Sequence, residues 1–234
     1  TFDSLFEEVP EVSPSPEGAT ELRRLSTVSH LMGGYGLVLL RSGRGDERTA
    51  VSLYYGRAAT EHGHFDRLNL ELFGCCRKLI PDMGYPEHAS EGEPPAIWTK
   101  NTASHNTVVV DERRQDTQTP GRLIHFASSD GLDLVEADAP DAYHHVSEYR
   151  RTVALIELAP DARYVVDLFR VAGGDRHDYG IHGFHGTFST EGVELSAPQA
   201  EGTLAGEDVP YGAIYDDEGL QDFERKGRSY YTYR

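Results

Sequence analysis

The 234-residue sequence predicts an all-β fold, and three observations lead to that prediction. Its apolar runs are short, rich in β-branched and aromatic residues, and bounded by Gly, Asp or Pro, which is typical of strands joined by turns. The chain contains 24 Gly and 12 Pro, which favour many turns. No segment carries a sustained helical period, although residues 1–30 could hold a short helix. Strands at this spacing predict an antiparallel sandwich or barrel.

The predicted strands follow one another along most of the chain. They are Tyr35–Arg41, Ala50–Tyr55, Leu68–Phe73, Arg77–Ile80, Thr107–Asp111, Leu123–Ser128, Leu132–Ala137, Tyr149–Leu158, Tyr164–Val171 and Gly180–Phe188. Residues 1–24 are rich in Pro, Ser and Glu and have no period of their own, so we predict a linker there. Residues 25–234 are then the predicted β domain.

Charge and composition exclude several classes of partner. The chain carries 39 acidic against 22 basic side chains, a formal net charge of −17. Nucleic acids and anionic membrane surfaces both require clustered Lys and Arg, so neither is an expected partner. No apolar run approaches the roughly 18–20 residues of a membrane span, so we expect no membrane insertion. The adjacent Cys75 and Cys76 could form only a strained disulfide, so we expect a fold without covalent cross-links.

A pair of histidines precedes one predicted strand. The leucines of Leu68–Phe73 alternate with polar residues, so they face one side of the sheet. Extending this alternation backwards places His62, His64 and Asp66 on the leucine side, provided that the segment stays extended. Two imidazoles and a carboxylate would then line one face beside the strand.

Two further residues complete a candidate metal site. Asp82 follows the predicted strand Arg77–Ile80, and His105 precedes Thr107–Asp111. His and Asp side chains are the ligands that zinc accepts, and an open fourth position is common. From spacing alone, a surface or hydrogen-bonded core histidine pair is the favoured interpretation. A second metal site at His144–His145, or at His177, His182 and His185, is a less favoured one.

Several blocks of sequence, in a fixed order, resemble the C-terminal domain of heparinase II/III-type polysaccharide lyases. That group includes heparin and heparan sulfate lyases and oligoalginate lyases. The blocks are GYGLVLLRSG at 34–43, HGHFDRLNLELFG at 62–74, DMGY at 82–85, TASHNTVVVD at 102–111, and the strand pair YRRTV at 149–153 and YVVD at 164–167. The resemblance covers roughly residues 30–190.

This resemblance implies a large antiparallel β-sandwich that follows an N-terminal α/α toroid, which this chain does not match. Residues 1–24 would then be a linker or the tail of that α-helical domain. A structural zinc would be bound by His64, Asp82 and His105, while His62 would face the substrate cleft and assist catalysis. The implied compartment is the bacterial periplasm or the exterior, with the cytoplasm as the alternative.

The chemistry that the resemblance implies is β-elimination at a uronic acid. The carboxylate is neutralised, a base removes the C5 proton, and an acid protonates the departing O4. In the family most of these groups, including a tyrosine, belong to the toroid, so we expect this chain alone to be inactive. The substrate is an anionic polysaccharide or oligosaccharide, which could be heparan sulfate, alginate or another uronate.

A polyanionic substrate needs local cations and stacking surfaces despite the net charge. Arg67, which follows the histidine pair, is a candidate for the substrate carboxylate. Arg113 is a second candidate, or else a salt-bridged residue at a strand end. Trp98 is either a platform for a sugar ring or an anchor in the core.

Two other functions remain open from the sequence. The spacing of Gly56, His62 and His64 fits the start of a cupin motif, although Glu71 comes too late and the rest of the motif is missing. A carbohydrate-binding or purely structural sandwich module without catalysis is the other alternative.

Overall fold

The structure is a computed structural model, and it describes residues 28–58, 63–84, 98–116, 118–184, 186–197 and 200–201. Its described strands are β1 (His30–Met32), β2 (Leu37–Ser42), β3 (Thr49–Tyr54), β4 (Asn69–Gly74), β5 (Arg77–Ile80), β6 (Val108–Val110), β7 (Arg122–Ser129), β8 (Leu132–Asp138), β9 (Val146–Ala159), β10 (Ala162–Gly173) and β11 (His177–Tyr179). Short 3-10 turns lie at Gly45–Glu47, Thr102–Ser104 and Pro140–Ala142. Within these residues no helix is long and apolar enough to cross a membrane.

The strands form two large antiparallel sheets and one small one. The first sheet has the order β1-β2-β3-β4-β5, and the second has the order β10-β9-β8-β7. In both sheets, strands that follow one another in the sequence are hydrogen-bonded neighbours. The short strands β6 and β11 pair with each other. The predicted all-β, antiparallel sandwich is therefore confirmed.

The core lies between the two large sheets, where β2 packs against β8 and β9. Alternate residues of each strand point inwards, because successive side chains of a strand face opposite sides. The central members are almost completely buried: Val38, Leu40, Val51 and Leu53 from the first sheet, and Val135, Val153 and Leu155 from the second. Each such side chain contributes about 1.5–3 kcal/mol by leaving water.

The last predicted strand, Gly180–Phe188, is wrong. The strand in this region is β11, and the described residues that follow it form none. The backbone N–H of Gly180 still donates to the carbonyl of Thr107, but the N–H of His182 donates to the side chain of Asn106 instead. A side-chain acceptor thus replaces the backbone partner, and the strand ends. Phe184 and Phe188 are exposed.

The prediction that the chain is extended immediately before β4, which the leucine alternation required, is also wrong. Leu68 has a φ of 60°, in the left-handed region, and the N–H of Asn69 donates to the carbonyl of Asp66 over 2.9 Å. The chain therefore turns immediately before β4. His64 and Asp66 do not continue the face of the leucines.

Gly36 offers a test of the turn between β1 and β2. It has a φ of +80°, and a Cβ there would lie 2.3 Å from the Cα of Gly56. We expect Gly36→Ala to lower the unfolding free energy by more than about 1–2 kcal/mol, the cost of the left-handed backbone alone, because the overlapping backbone cannot move aside. Urea unfolding measures this change. Gly34→Ala is the control, because a Cβ at Gly34 meets nothing within 4 Å. Equal losses in both variants would contradict the explanation.

Candidate metal centre

His64, Asp66 and His105 converge in the structure. Each offers one ligand atom, and these atoms lie within 4.8 Å of one another. His64 and His105 are buried, with ring centroids 5.1 Å apart. The N–H of Phe65 donates to the carbonyl of Lys100 over 3.0 Å, which joins the segment before β4 to the segment that carries His105.

Asp82, the third ligand predicted by resemblance, contacts the same cluster. Its Oδ2 lies 2.6 Å from Nδ1 of His105 and accepts a hydrogen bond from Nδ2 of Asn69 over 2.9 Å. Its Oδ1 accepts from the N–H of Gly84. The structure therefore brings His64, Asp82 and His105 to one place, with Asp66 as an additional carboxylate.

The cluster changes the pKa of each of these groups. Burial, followed by the neighbouring His105, lowers the pKa of His64 to about 4. Burial raises the pKa of Asp66 to about 6. Burial alone would also raise the pKa of Asp82, but the hydrogen bond and charge of His105 lower it to about 2. Asp82 is thus an anion beside two imidazoles.

The donor set fits a divalent metal of the zinc class. Among the described residues, Oδ1 of Asp66 and Nε2 of His105 are buried and have no hydrogen-bond partner. Such atoms destabilise a fold by about 1–3 kcal/mol each when nothing compensates them. Imidazole nitrogens and carboxylate oxygens are the donors that zinc prefers besides thiolate. A cation at this position would satisfy both atoms.

Asparagine side chains hold the frame of this centre, and sequence reasoning missed them. Oδ1 of Asn69 accepts from the N–H of Asn106 over 2.8 Å, and Nδ2 of Asn106 donates to the carbonyl of Pro81 over 3.0 Å. His182 joins them, since its N–H donates to Oδ1 of Asn106. The sequence signal for them was weak: Asn69 is a polar residue at the start of the apolar strand β4.

Arg67 lies in the interior, which conflicts with its predicted contact to substrate. Its side chain is completely buried. Its Nε donates to Oε1 of Gln115 over 3.0 Å, and its Nη1 donates to the carbonyl of Thr119 over 2.7 Å. The guanidinium therefore supports the loop after β6. In this conformation no substrate at the surface reaches it.

Two further predicted site residues, Trp98 and Arg113, lie in the described part of the chain. Trp98 is partly exposed and donates from Nε1 to Sδ of Met83 over 3.2 Å. Arg113 is exposed and lines a separate pocket. The adjacent Arg114 is closer to the centre, with its guanidinium 4.0 Å above the ring of Phe65. His62 lies outside the described residues, so its cleft role stays a prediction.

The fold and this centre define an antiparallel β-sandwich domain with a buried cluster of metal-ligand type. The family described as "Heparinase II/III-like, C-terminal" matches residues 25–204. The chain belongs to this family, as the sequence blocks predicted. The match rules out the cupin alternative.

Two curated relatives are lyases of alginate. The chain is 27% identical over 247 residues to an alginate lyase of Stenotrophomonas maltophilia (strain K279a), covering 92% of this chain and 33% of the relative. It is 28% identical over 154 residues to an exo-oligoalginate lyase of Saccharophagus degradans, covering 58% of this chain and 20% of the relative. The chain thus spans a third or less of the length of these relatives.

Solved structures share the fold. A heparinase III has a TM-score of 0.61 at 21% identity, with 70% of this chain and 25% of the other covered. A mutant of the heparan sulfate lyase HepC from Pedobacter heparinus has a TM-score of 0.54 at 22% identity, with 62% and 22% covered. At these identities the likeness shows the fold alone.

Proposed function

We propose that this chain is the C-terminal domain of a polysaccharide lyase that cleaves uronic-acid-containing glycans by β-elimination. The observation that carries the proposal is that His64, Asp82 and His105 lie together in the structure, with His64 and His105 buried. His62 is two residues before His64 in the sequence. Membership of the family and the two alginate lyase relatives support it.

The proposal includes a structural zinc held by His64, Asp82 and His105, with Asp66 as a further carboxylate within reach. Structural zinc sites are usually closed by four protein ligands, which this set of side chains can supply. Zinc here would cross-link the segment before β4 to the segment before β6. The backbone of residues 63–66 would then be fixed, and His62 would be oriented through it.

His62 is the group of this chain that we place in the substrate cleft. There it would assist neutralisation of the uronate carboxylate or transfer of a proton. The remaining catalytic base and acid are assigned to an N-terminal α/α toroid in a longer protein, located in the periplasm or outside the cell. This chain without that domain is expected to be inactive.

Local cations have to offset the net charge of −17 against a polyanionic glycan. Arg114 lies over Phe65, and Lys100 is close enough to His64 to lower the pKa of that imidazole further, after burial and His105. These two residues belong to the surroundings of the proposed cleft. They are better placed than the buried Arg67 to meet a substrate carboxylate.

The test uses the intact protein with alginate and heparan sulfate oligosaccharides. The unsaturated uronate product of β-elimination is followed by its ultraviolet absorbance. We expect turnover by the wild type and a loss of about 10²–10⁴-fold in kcat for His62→Ala, the usual contribution of a positioned acid or base. His30→Ala, at an exposed position of β1, should retain full activity.

Two results would overturn this proposal. Absence of unsaturated product from the intact wild type on every uronate glycan would remove the lyase assignment. Full activity of His62→Ala would leave only a structural or carbohydrate-binding role for this domain.

A further inference from the structure

A second cluster of metal-ligand type lies between the turn after β6 and the loop before β9. Asp116, His144 and His145 each offer one ligand atom, and these atoms lie within 4.8 Å of one another. Oδ2 of Asp116 accepts a hydrogen bond from the backbone N–H of His144 over 3.0 Å and lies 2.5 Å from Nδ1 of the same residue. None of these residues belongs to the proposed zinc site above.

Three buried atoms of this cluster make no hydrogen bond within the described residues. They are Oδ1 of Asp116 and both ring nitrogens of His145. Nε2 of His145 lies 2.9 Å from Oδ2 of Asp111. A carboxylate behind one ring nitrogen fixes the orientation of an imidazole, which is the usual arrangement around a metal-bound histidine. Nδ1 of His145 is therefore the nitrogen that is available to a metal.

The backbone around the cluster is held rigidly. The N–H of Asp116 donates to the carbonyl of Ala142 over 2.9 Å, which joins the two loops. The hydroxyl of the buried Tyr143 donates to the carbonyl of Arg113 over 3.1 Å. Oδ1 of Asp111 accepts from the N–H groups of Asp175 and Arg176 over 2.7 and 2.8 Å. These hydrogen bonds hold the backbone that carries the ligands, and only side chains have to adjust when an ion binds.

The cluster borders an open pocket of about 510 Å³. Its lining includes the carboxylates of Asp111, Glu112 and Asp175 and the guanidinium groups of Arg113 and Arg176. With Asp116, the carboxylates outnumber the arginines, which favours a cation over an anion. In a tetrahedral zinc site with bonds of about 2.0 Å, neighbouring ligand atoms lie about 3.3 Å apart. Small side-chain movements would bring the ligand atoms of this cluster, now within 4.8 Å of one another, to that spacing.

We propose that Asp116, His144 and His145 form a second divalent-metal site of the zinc class, with an open coordination position facing this pocket. Asp111 is the outer carboxylate that orients His145. The site rests on its own residues and does not depend on the proposed lyase function.

The test is zinc binding by the intact protein. The protein is stripped with a chelator and titrated with ZnCl₂ alone, and the bound equivalents are measured by calorimetry and by metal analysis after dialysis. We expect His145→Ala, Asp116→Asn and the double variant His144→Ala/His145→Ala each to lose one equivalent relative to the wild type. Each should weaken that site by more than the roughly 10–100-fold that loss of an outer-shell partner costs.

Matched variants separate this site from the first. His125→Ala, an exposed histidine of β7 beside a carboxylate, should retain every equivalent. His105→Ala should lose a different equivalent, and combining it with His145→Ala should lose both. Circular dichroism checks folding, and His144→Ala, at an exposed side chain, provides a variant that keeps the fold.

The outcomes distinguish the two metal proposals. A wild type that binds one equivalent, lost in His145→Ala and kept in His105→Ala, would support this site and remove the first. A double variant His144→Ala/His145→Ala that binds as much zinc as the wild type, with equal affinity, would overturn this proposal.

Discussion

Replacing Arg151 by alanine is expected to lower the unfolding free energy by about 3–5 kcal/mol, the cost of breaking a buried ion pair. The Arg151 side chain is completely buried in β9 and forms two hydrogen bonds with Asp167, over 2.8 and 2.6 Å. Its Nη1 also donates to the carbonyls of Leu68 and Asn106. The substitution removes the cationic partner of Asp167, which keeps the hydroxyl of Tyr179 as a side-chain donor. It also removes the arginine donor from both carbonyls, of which that of Asn106 still accepts from a backbone N–H of β4. Urea unfolding followed by circular dichroism measures the loss.

The neighbouring Arg150 is the control for this substitution. It lies on the same strand, is partly exposed and pairs with Glu136 over 3.3 Å. Surface ion pairs contribute about 0–1 kcal/mol, so Arg150→Ala should have a small effect. Similar losses in the two variants would contradict the assignment of a buried ion pair to Arg151.

Removal of the proposed structural zinc is the second change with a large expected effect. At free zinc 100-fold above the dissociation constant, one bound ion adds about 2.7 kcal/mol to the unfolding free energy. We expect His105→Ala to lose one such zinc-dependent increment, because this imidazole lies at the centre of the first cluster. The measurement compares unfolding with and without zinc in each variant, so that the direct effect of the substitution cancels.

Carboxylate variants then identify the ligands of the first site. Asp82→Asn and Asp66→Asn should each weaken zinc binding by at least about 10-fold, the lower end of the effect of an outer-shell partner. Asp130→Asn, at an exposed position of the turn between β7 and β8, should not. A zinc-dependent increment that is identical in His105→Ala and the wild type would contradict the assignment of this site.

The strands could be predicted from the sequence because alternation and turn residues are local properties. The predicted Arg77–Ile80 coincides with β5, and most other strands agree within a few residues. The three-residue β1 is too short to show any alternation. Gly180–Phe188 has the apolar composition of a strand, but the N–H of His182 donates to the side chain of Asn106, which is remote in the sequence, and not to a neighbouring strand.

The candidate site could be predicted only in part. The convergence of His64, Asp82 and His105 came from the family resemblance, since local spacing cannot show contacts between distant segments. The predicted extended segment before β4 ends at Leu68, whose backbone is left-handed. Leucine rarely adopts this conformation, so the sequence gives no sign of it. Arg67 was predicted to contact substrate because it follows the histidine pair, and the sequence does not show that Gln115 and Thr119 supply acceptors for its guanidinium in the interior.

The order of strands in the two large sheets has a consequence for how the domain folds. Each sheet is continuous in the sequence, so its hairpins can form from nearby residues at little cost in loop closure. His64, Asp66 and Asp82 flank the β4–β5 hairpin and can approach one another early. His105 arrives with the segment that leads to β6. A zinc site that needs His105 would therefore be completed late, and the rate of zinc uptake during refolding would report the docking of the segment before β6 onto the first sheet.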